Sequence, residues 1–296
     1  MQKSKHTKIK KAQPKKTPKM PKMPKKNQNA TTDKITNTNQ STQKAYKLLS
    51  ESLNISHSKA KSLIDRGLVS ADGKKLTLAR VPLPKGVRFS IRQVQEVRII
   101  HKDEDIMCVD KPAFMDSYEV ERECQDKQGK EWKLLHRLDK ETSGCLLLVK
   151  HNSDFAKKAL DEFVKNRVYK LYNALVSGII NDEQEISLPL LIHKGKSAKT
   201  LAISQSAAQK AKNAKSATTH IAPRFIQGKK TLLDVRILTG RTHQIRAHLQ
   251  AIGHPLIGDT LYGGLNASRL MLHASEIRIF EYVFTSKLPS EFDFRS

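Results

Sequence analysis

The stretch HRLDKETSG, residues 136–144, sets Asp139 in a polar loop between Arg137 and Lys140. A mostly apolar run, CLLLVK, follows at 145–150 and reads as a buried strand. Thr142, Ser143 and Gly144 make a tight, hydrogen-bonding connection into it. A carboxylate held at the mouth of a sheet can attack an electrophilic carbon or accept a proton. Composition alone also fits a surface salt-bridge cluster on a turn. A second stretch, YKLYNALVSG (169–178), alternates as strands do, so Tyr172 shares a face with Lys170, Ala174 and Val176. The small Ala174 leaves room beside Tyr172 for a flat ligand. The third stretch, LLDVRILTGRTHQIRAHLQAIGHPLIGDTLYGG (232–264), runs strand, glycine turn, helix, then a Gly/Pro-rich loop. On its helix His243, Arg246 and Gln250 flank an apolar stripe of Ile245, Leu249 and Ile252. An arginine at such an edge reaches into a cleft while its stem packs.

These stretches need a scaffold. Residues 97–100 and 106–109 read as short strands, and 168–178 and 232–238 as longer ones. Residues 154–165 read as an amphipathic helix with Phe155, Ala159, Leu160, Phe163 and Val164 on one face, capped by Asn152 or Ser153. Strands and helices alternate without a regular βαβ rhythm. The expected class is therefore α+β, a mixed, largely antiparallel β-sheet core with flanking helices over residues 94–296. Within it, the Lys/Ala/Ser-rich residues 194–218 are expected to form a low-complexity surface insertion, partly helical or mobile.

Ahead of this core, residues 43–93 read as a small unit. Ala45, Leu48 and Leu49 face inward from one helix, and Ala60, Leu63 and Ile64 from a second, capped by Ser56 or Ser58. Two short strands then flank the turn Ala71-Asp72-Gly73. Residues 1–42 are expected to stay disordered, because 12 Lys and one Asp in residues 1–34 leave too little apolar surface to offset ordering. Such a segment is suited to nonspecific phosphate contacts.

Composition narrows the chemistry. The 296 residues carry 54 Lys+Arg against 29 Asp+Glu, a net charge of +25 that points to a polyanion, nucleic acid before membrane. Three cysteines without a CxxC pair exclude a disulfide scaffold and suit reduced thiols in the cytoplasm. No apolar run approaches the ~18 residues of a membrane span. A zinc site is not expected: His243 and His248 are five residues apart, about 140° around a helix, and no HExxH occurs. Phosphate-loop, dinucleotide and nucleophile-elbow fingerprints are absent as well. Nothing fits a DNA groove-reading helix pair.

Taken together, HRLD-x-x-TSG, YNALVSG, TGRTHQIRAHLQAIGHPLIGDTLYGG and the closing RLMLHA (269–274) resemble the RluA-type RNA pseudouridine synthases over about residues 97–296. NISHSKAKSLIDRGLV and the following strand-turn with DGK resemble an S4-type RNA-binding domain. The resemblance implies the pseudouridine synthase fold and an isomerase needing no cofactor and no metal. It makes Asp139 the catalytic aspartate, Tyr172 the tyrosine that stacks on the uracil, and Arg246 the arginine paired with the aspartate. Arg137 would occupy the place of the extruded base, His136 and Arg241 would also bind RNA, with Arg241 supporting the local loop, and Lys59, Lys61 and Lys74 would grip RNA backbone. The implied partner is RNA, large-subunit (23S-type) ribosomal RNA by layout, with no obligate protein partner. A non-catalytic ribosome-assembly factor on the same fold is the alternative. The chain departs from the pattern after Lys-Pro-Ala, where Phe114 and Met115 stand in place of glycine and small apolar residues. That departure is expected to alter the substrate cleft.

Overall fold

A computed structural model of the chain describes residues 41–93, 95–193 and 199–293. The Lys/Pro-rich segment 1–40 and residues 194–198 lie outside them, so the expected disorder of the tail falls on undescribed residues. From Ser41 onward the chain packs as one unit.

The first part of that unit contains β1 (Thr42–Lys44), α1 (Ala45–Leu53), α2 (His57–Asp65), β2 (Val69–Ala71), β3 (Lys74–Lys75), β4 (Pro82–Pro84) and β5 (Phe89–Ile91). Ser56 caps α2 by accepting from the Lys59 N–H at 3.2 Å. Asp72 and Gly73 both take positive φ, 47° and 78°, as a tight hairpin between β2 and β3 requires. Ala45, Leu49, Ala60, Ile64 and Val69 form its small core. Thr42 belongs to β1, which pairs with β4, so the folded chain starts slightly before the expected boundary. β5 adds a third strand beside β2, a pairing the local pattern does not announce.

The larger part contains β6 (Arg98–Lys102), β7 (Ile106–Lys111), α3 (Ser117–Gln128), β8 (Trp132–Leu134), β9 (Ser143–Lys150), α4 (Asp154–Val164), β10 (Tyr169–Ser177), β11 (Gln184–Ile186), β12 (Leu190–His193), β13 (Lys199–Ala202), α5 (Gln205–Lys210), β14 (Thr219–Gln227), β15 (Lys230–Ile237), α6 (Gln244–Ala251), β16 (Leu272–Ile279) and β17 (Tyr282–Thr285). The main sheet runs β11-β14-β15-β10-β16-β9-β7-β6, with β17 on β16 and β8 on β9. All its pairings are antiparallel except β16 with β9. The α+β expectation therefore holds. Gly144 makes the parallel join possible. At φ +111° it sits beside Ala274, and a Cβ there would meet the Ala274 carbonyl oxygen at 2.1 Å.

Three expectations change. α4 turns Phe155, Ala156, Ala159 and Phe163 to the core, but leaves Leu160 and Val164 exposed, because one helix face is narrower than the five apolar positions. The insertion is partly helical at the surface, as expected, in the exposed α5, but its strand β13 is docked rather than loose. β12 and β13 form a hairpin whose Thr200 is buried and clamped by the Tyr262 hydroxyl, which accepts from its N–H and donates to its carbonyl, both at 2.9 Å. Phe114 and Met115 do not line the cleft. Met115 packs in the core beneath β7 and β9, and Phe114 turns to the N-terminal unit.

Candidate active site

A cleft of about 700 Å³ opens where the loop 136–142, the start of α3, the end of α4, β10 and the segment 240–246 converge. Arg137, Asp139, Tyr172, Arg241, His243 and Arg246 all line it, so three stretches far apart in sequence meet.

The loop bearing Asp139 is anchored at nearly every residue. His136 Nε2 accepts from the Leu147 N–H at 3.1 Å. Ser117 Oγ accepts from the Leu138 N–H and donates to the Leu138 carbonyl, each at 3.0 Å. The Asp139 carbonyl accepts from the Thr142 N–H at 3.0 Å. Ser143 Oγ meets His273 Nδ1 at 2.8 Å. Lys111, wholly buried, donates to the carbonyls of Pro112, Met115 and Lys140. Burial draws its pKa down to about 7, while three acceptors match its three N–H groups. A loop held this way keeps its carboxylate in one place, which is what positioned catalysis needs.

Arg246 has a second, tighter partner besides the expected aspartate. Its guanidinium forms a two-pronged pair with Asp259, at 2.7 Å for both contacts, and both side chains are buried. Asp139 Oδ2 lies 3.6 Å from Nη1, an ion pair beyond hydrogen-bond range. Burial works against the arginine's charge, but Asp259, with Asp139 and Glu141, outweighs it and raises the pKa. The Tyr262 ring lies against the same guanidinium, 5.1 Å from its centroid. α6 is buried nearly all round rather than on one stripe, which is why its arginine needs an internal counter-ion.

His243 stands at the N-terminus of α6 with φ +52°, a left-handed conformation rare outside glycine. Its Nε2 is 3.8 Å from Asp139 Oδ2 and its Nδ1 is 3.2 Å from the Tyr262 hydroxyl. That hydroxyl spends its single proton on the Thr200 carbonyl, so it accepts from Nδ1–H and leaves Nε2 with a bare lone pair facing Asp139. Burial lowers the pKa of the ring, so it is neutral at neutral pH.

Tyr172 rests between two core clusters, and burial followed by the Asp139 charge pushes its hydroxyl pKa up. Ala174 is sealed in the core behind it and makes no part of the cleft. Arg137 reaches Tyr118, with Nη1 3.3 Å from the hydroxyl. His136 lines the cleft as well, but its ring is tied to β9 and α4: besides the Leu147 bond it stacks on Phe163 at 5.1 Å, and burial pulls its pKa down to about 3. Its Nε2 is thus spent on backbone. Arg241 is exposed at the rim, with Nε directed at the Ser216 carbonyl. Lys59, Lys61 and Lys74 lie on the N-terminal unit outside the cleft, and Lys61 Nζ sits 4.5 Å from the Tyr46 ring centroid.

Asp259, Tyr262, Tyr118 and Lys111 escaped the sequence reading as site residues. The first two lie inside GDTLYGG, where the glycines drew attention to the turn rather than to the side chains between them. Among the described residues no three His, Cys, Asp or Glu side chains come together as metal ligands would.

Two solved human proteins share this fold. One, RNA pseudouridylate synthase domain containing 1, superposes with a TM-score of 0.56 at 26% identity over 67% of this chain and 84% of its own. The other, RNA pseudouridylate synthase domain containing 4, gives a TM-score of 0.55 over 66% of this chain and 90% of its own, and at 22% identity shows the fold alone. Fold and cleft thus define an isomerase of the pseudouridine synthase class. Residues 96–251 match the family model for RNA pseudouridylate synthase, and the chain belongs to that family. An uncharacterised RNA pseudouridine synthase of Helicobacter pylori strain J99 is 49% identical over 85% of this chain and 99% of that protein. The tRNA pseudouridine synthase C of Vibrio cholerae is 31% identical over 64% of this chain and 88% of that protein.

Proposed function

We propose that the chain converts specific uridines of large-subunit ribosomal RNA to pseudouridine in the cytoplasm, with Asp139 as nucleophile and the N-terminal unit as an S4-like RNA grip. The supporting observation is the convergence in one cleft of Asp139, on an over-anchored loop, with Tyr172 of β10 and Arg246 of α6. Asp139 attacks carbon, at C1′ of the ribose or C6 of the base. Either route breaks N1–C1′, lets the uracil turn, joins C5 to C1′, breaks the transient Asp139–carbon bond, and moves one proton from C5 to N1 by way of solvent, so atoms and charge balance without a cofactor. The uridine must first leave its stack, at a cost of a few kcal/mol. Arg137 fills the vacated space, and Tyr172 offers an aromatic face worth ~1–3 kcal/mol. Arg246, held by Asp259, presents Nη1 to the carboxylate. A ribose hydroxyl seated between Asp139 and the bare Nε2 of His243 would donate its one proton to one or the other.

Asp139→Asn should abolish pseudouridine formation while RNA affinity stays within about threefold, since the change removes only one charge from a strongly basic surface. Chemical mapping of pseudouridine checks it, and full-rate modification by the variant would end the proposal. A second reading, transfer RNA as substrate, is favoured by the relatives named tRNA pseudouridine synthase C. Comparing pseudouridine maps of ribosomal and transfer RNA from a deletion strain and its parent separates the two. Turnover of excess RNA by substoichiometric protein separates both from a non-catalytic RNA binder.

A further inference from the structure

We propose that Phe114 is a specificity-determining positioning residue: it seats the N-terminal unit against the Asp139 loop, so that the enzyme selects RNAs whose target uridine lies at one spacing from a second helical element. The inference rests on the proposed reading, in which lysines of α2 hold RNA.

Phe114 is a bulky residue at φ +68°, where side chains other than glycine are strained. Its ring does not serve the cleft. It is buried among Leu63, Leu68 and Ala113, with the Arg92 guanidinium 4.9 Å from its centroid. Leu63, Leu68 and Arg92 all belong to the N-terminal unit. The Phe114 carbonyl accepts from Arg66 Nε at 3.1 Å, and Arg66 also faces Glu119 at 3.8 Å. Arg92 donates to the Ser268 carbonyl. Beside this contact Lys140, the residue after Asp139, donates to the carbonyl of Asp65 at the end of α2 at 2.7 Å. Lys111 closes the circuit, because one ammonium binds carbonyls on both sides, Met115 next to Phe114 and Lys140 next to Asp139. Helix α2, Phe114 and the Asp139 loop therefore form one hydrogen-bonded body. A rigid link between two RNA-contacting parts raises the effective concentration of the second contact only for ligands that match the spacing. A strained residue kept by its tertiary contacts marks the place where that match is set.

The test uses the full chain with total RNA from cells lacking the gene, and a short stem-loop around one uridine mapped in that RNA. Phe114→Gly relieves the backbone and removes the ring, and Leu68→Ala loosens the contact from the other side. Each should lower kcat/KM on the long RNA by about tenfold or more through KM, with the saturating single-turnover rate within about twofold of wild type. Activity on the stem-loop should hold within about twofold, and Phe114→Tyr should behave as wild type. Hydrogen exchange across α2 and β2 should rise in both loosened variants. Equal losses on both RNAs, or wild-type kinetics on both, would overturn the inference. If the wild type forms no pseudouridine in the total RNA, the proposed function fails instead, and unchanged exchange in Phe114→Gly would then overturn the docking separately.

Discussion

Arg246 faces two carboxylates at unequal distance, and the asymmetry assigns their work. Asp259 neutralises and aims the guanidinium, while Asp139 stays 3.6 Å away and 28% exposed, open to an incoming substrate. Asp259→Asn should cost about 3 kcal/mol of stability, because it leaves a buried cation half-paired. Turnover should fall with it, read from urea melts and single-turnover rates; a variant unchanged in both would remove Asp259 from the site. The buried histidines give a pH signature. His136 and His273 have pKa values near 3 and 4, drawn down by burial from the usual 6.5. Unfolded histidine takes up its proton near pH 6.5, but the native ring does not, so the unfolded state binds more protons just below that pH. Their contribution is complete above pH 6.5 and is lost as pH falls toward 4. Unfolding free energy should drop between pH 6.5 and 4.5 by at most about 1.4 kcal/mol per pH unit for each ring. His136→Gln should flatten that slope, and an unaltered slope would count against the neutral ring.

Loop 136–142 shows how elements rather than single residues hold the site. It lies between β8 and β9, and its anchors come from β7, α3 and β16 as well as from its own strand. The parallel contact of β9 with β16 depends on Gly144. Gly144→Ala should push the Ala274 carbonyl away, at a cost on the order of 2 kcal/mol or more, since the added carbon would also sit at positive φ. Activity should fall further than stability explains, because Ser143 and its bond to His273 move with the strand. Thermal melts and turnover at a temperature where the variant is folded check this. The helix of the third stretch was legible as a helix from its period. Its burial on nearly every side was not, because β13, which packs against it, comes from residues whose composition reads as solvated surface.

For the whole molecule, charge and layout carry the argument. Residues 1–34 supply 12 lysines against one Asp. Removing residues 1–40, just ahead of β1, should flatten the salt dependence of RNA binding, since each phosphate contact adds about 0.7–0.9 to the log–log slope. An unchanged slope would leave the segment without a part in binding. The N-terminal unit meets the core through Phe114, Arg66, Arg92 and Lys140, so α2 is fixed relative to the cleft rather than tethered near it.

Asp139, Tyr172 and Arg246 could be singled out from the chain because their stretches resemble family motifs, which are runs of local sequence; residue types and periods alone left a surface ion pair, a half-buried tyrosine and a basic helix open. The α+β class was readable because alternation and helical spacing repeat within a few residues. The pairing of Arg246 with Asp259, the commitment of His136 to backbone and the docking of Thr200 under Tyr262 were not readable. Neither was the destination of the Phe114 ring, where the departure from pattern was visible and its purpose was not. Each of these joins residues brought together by sheet order and packing, and nothing in linear spacing encodes which distant groups will share a buried space. Folding settles those partners because a buried charge or polar group must find one, and the packed chain offers few.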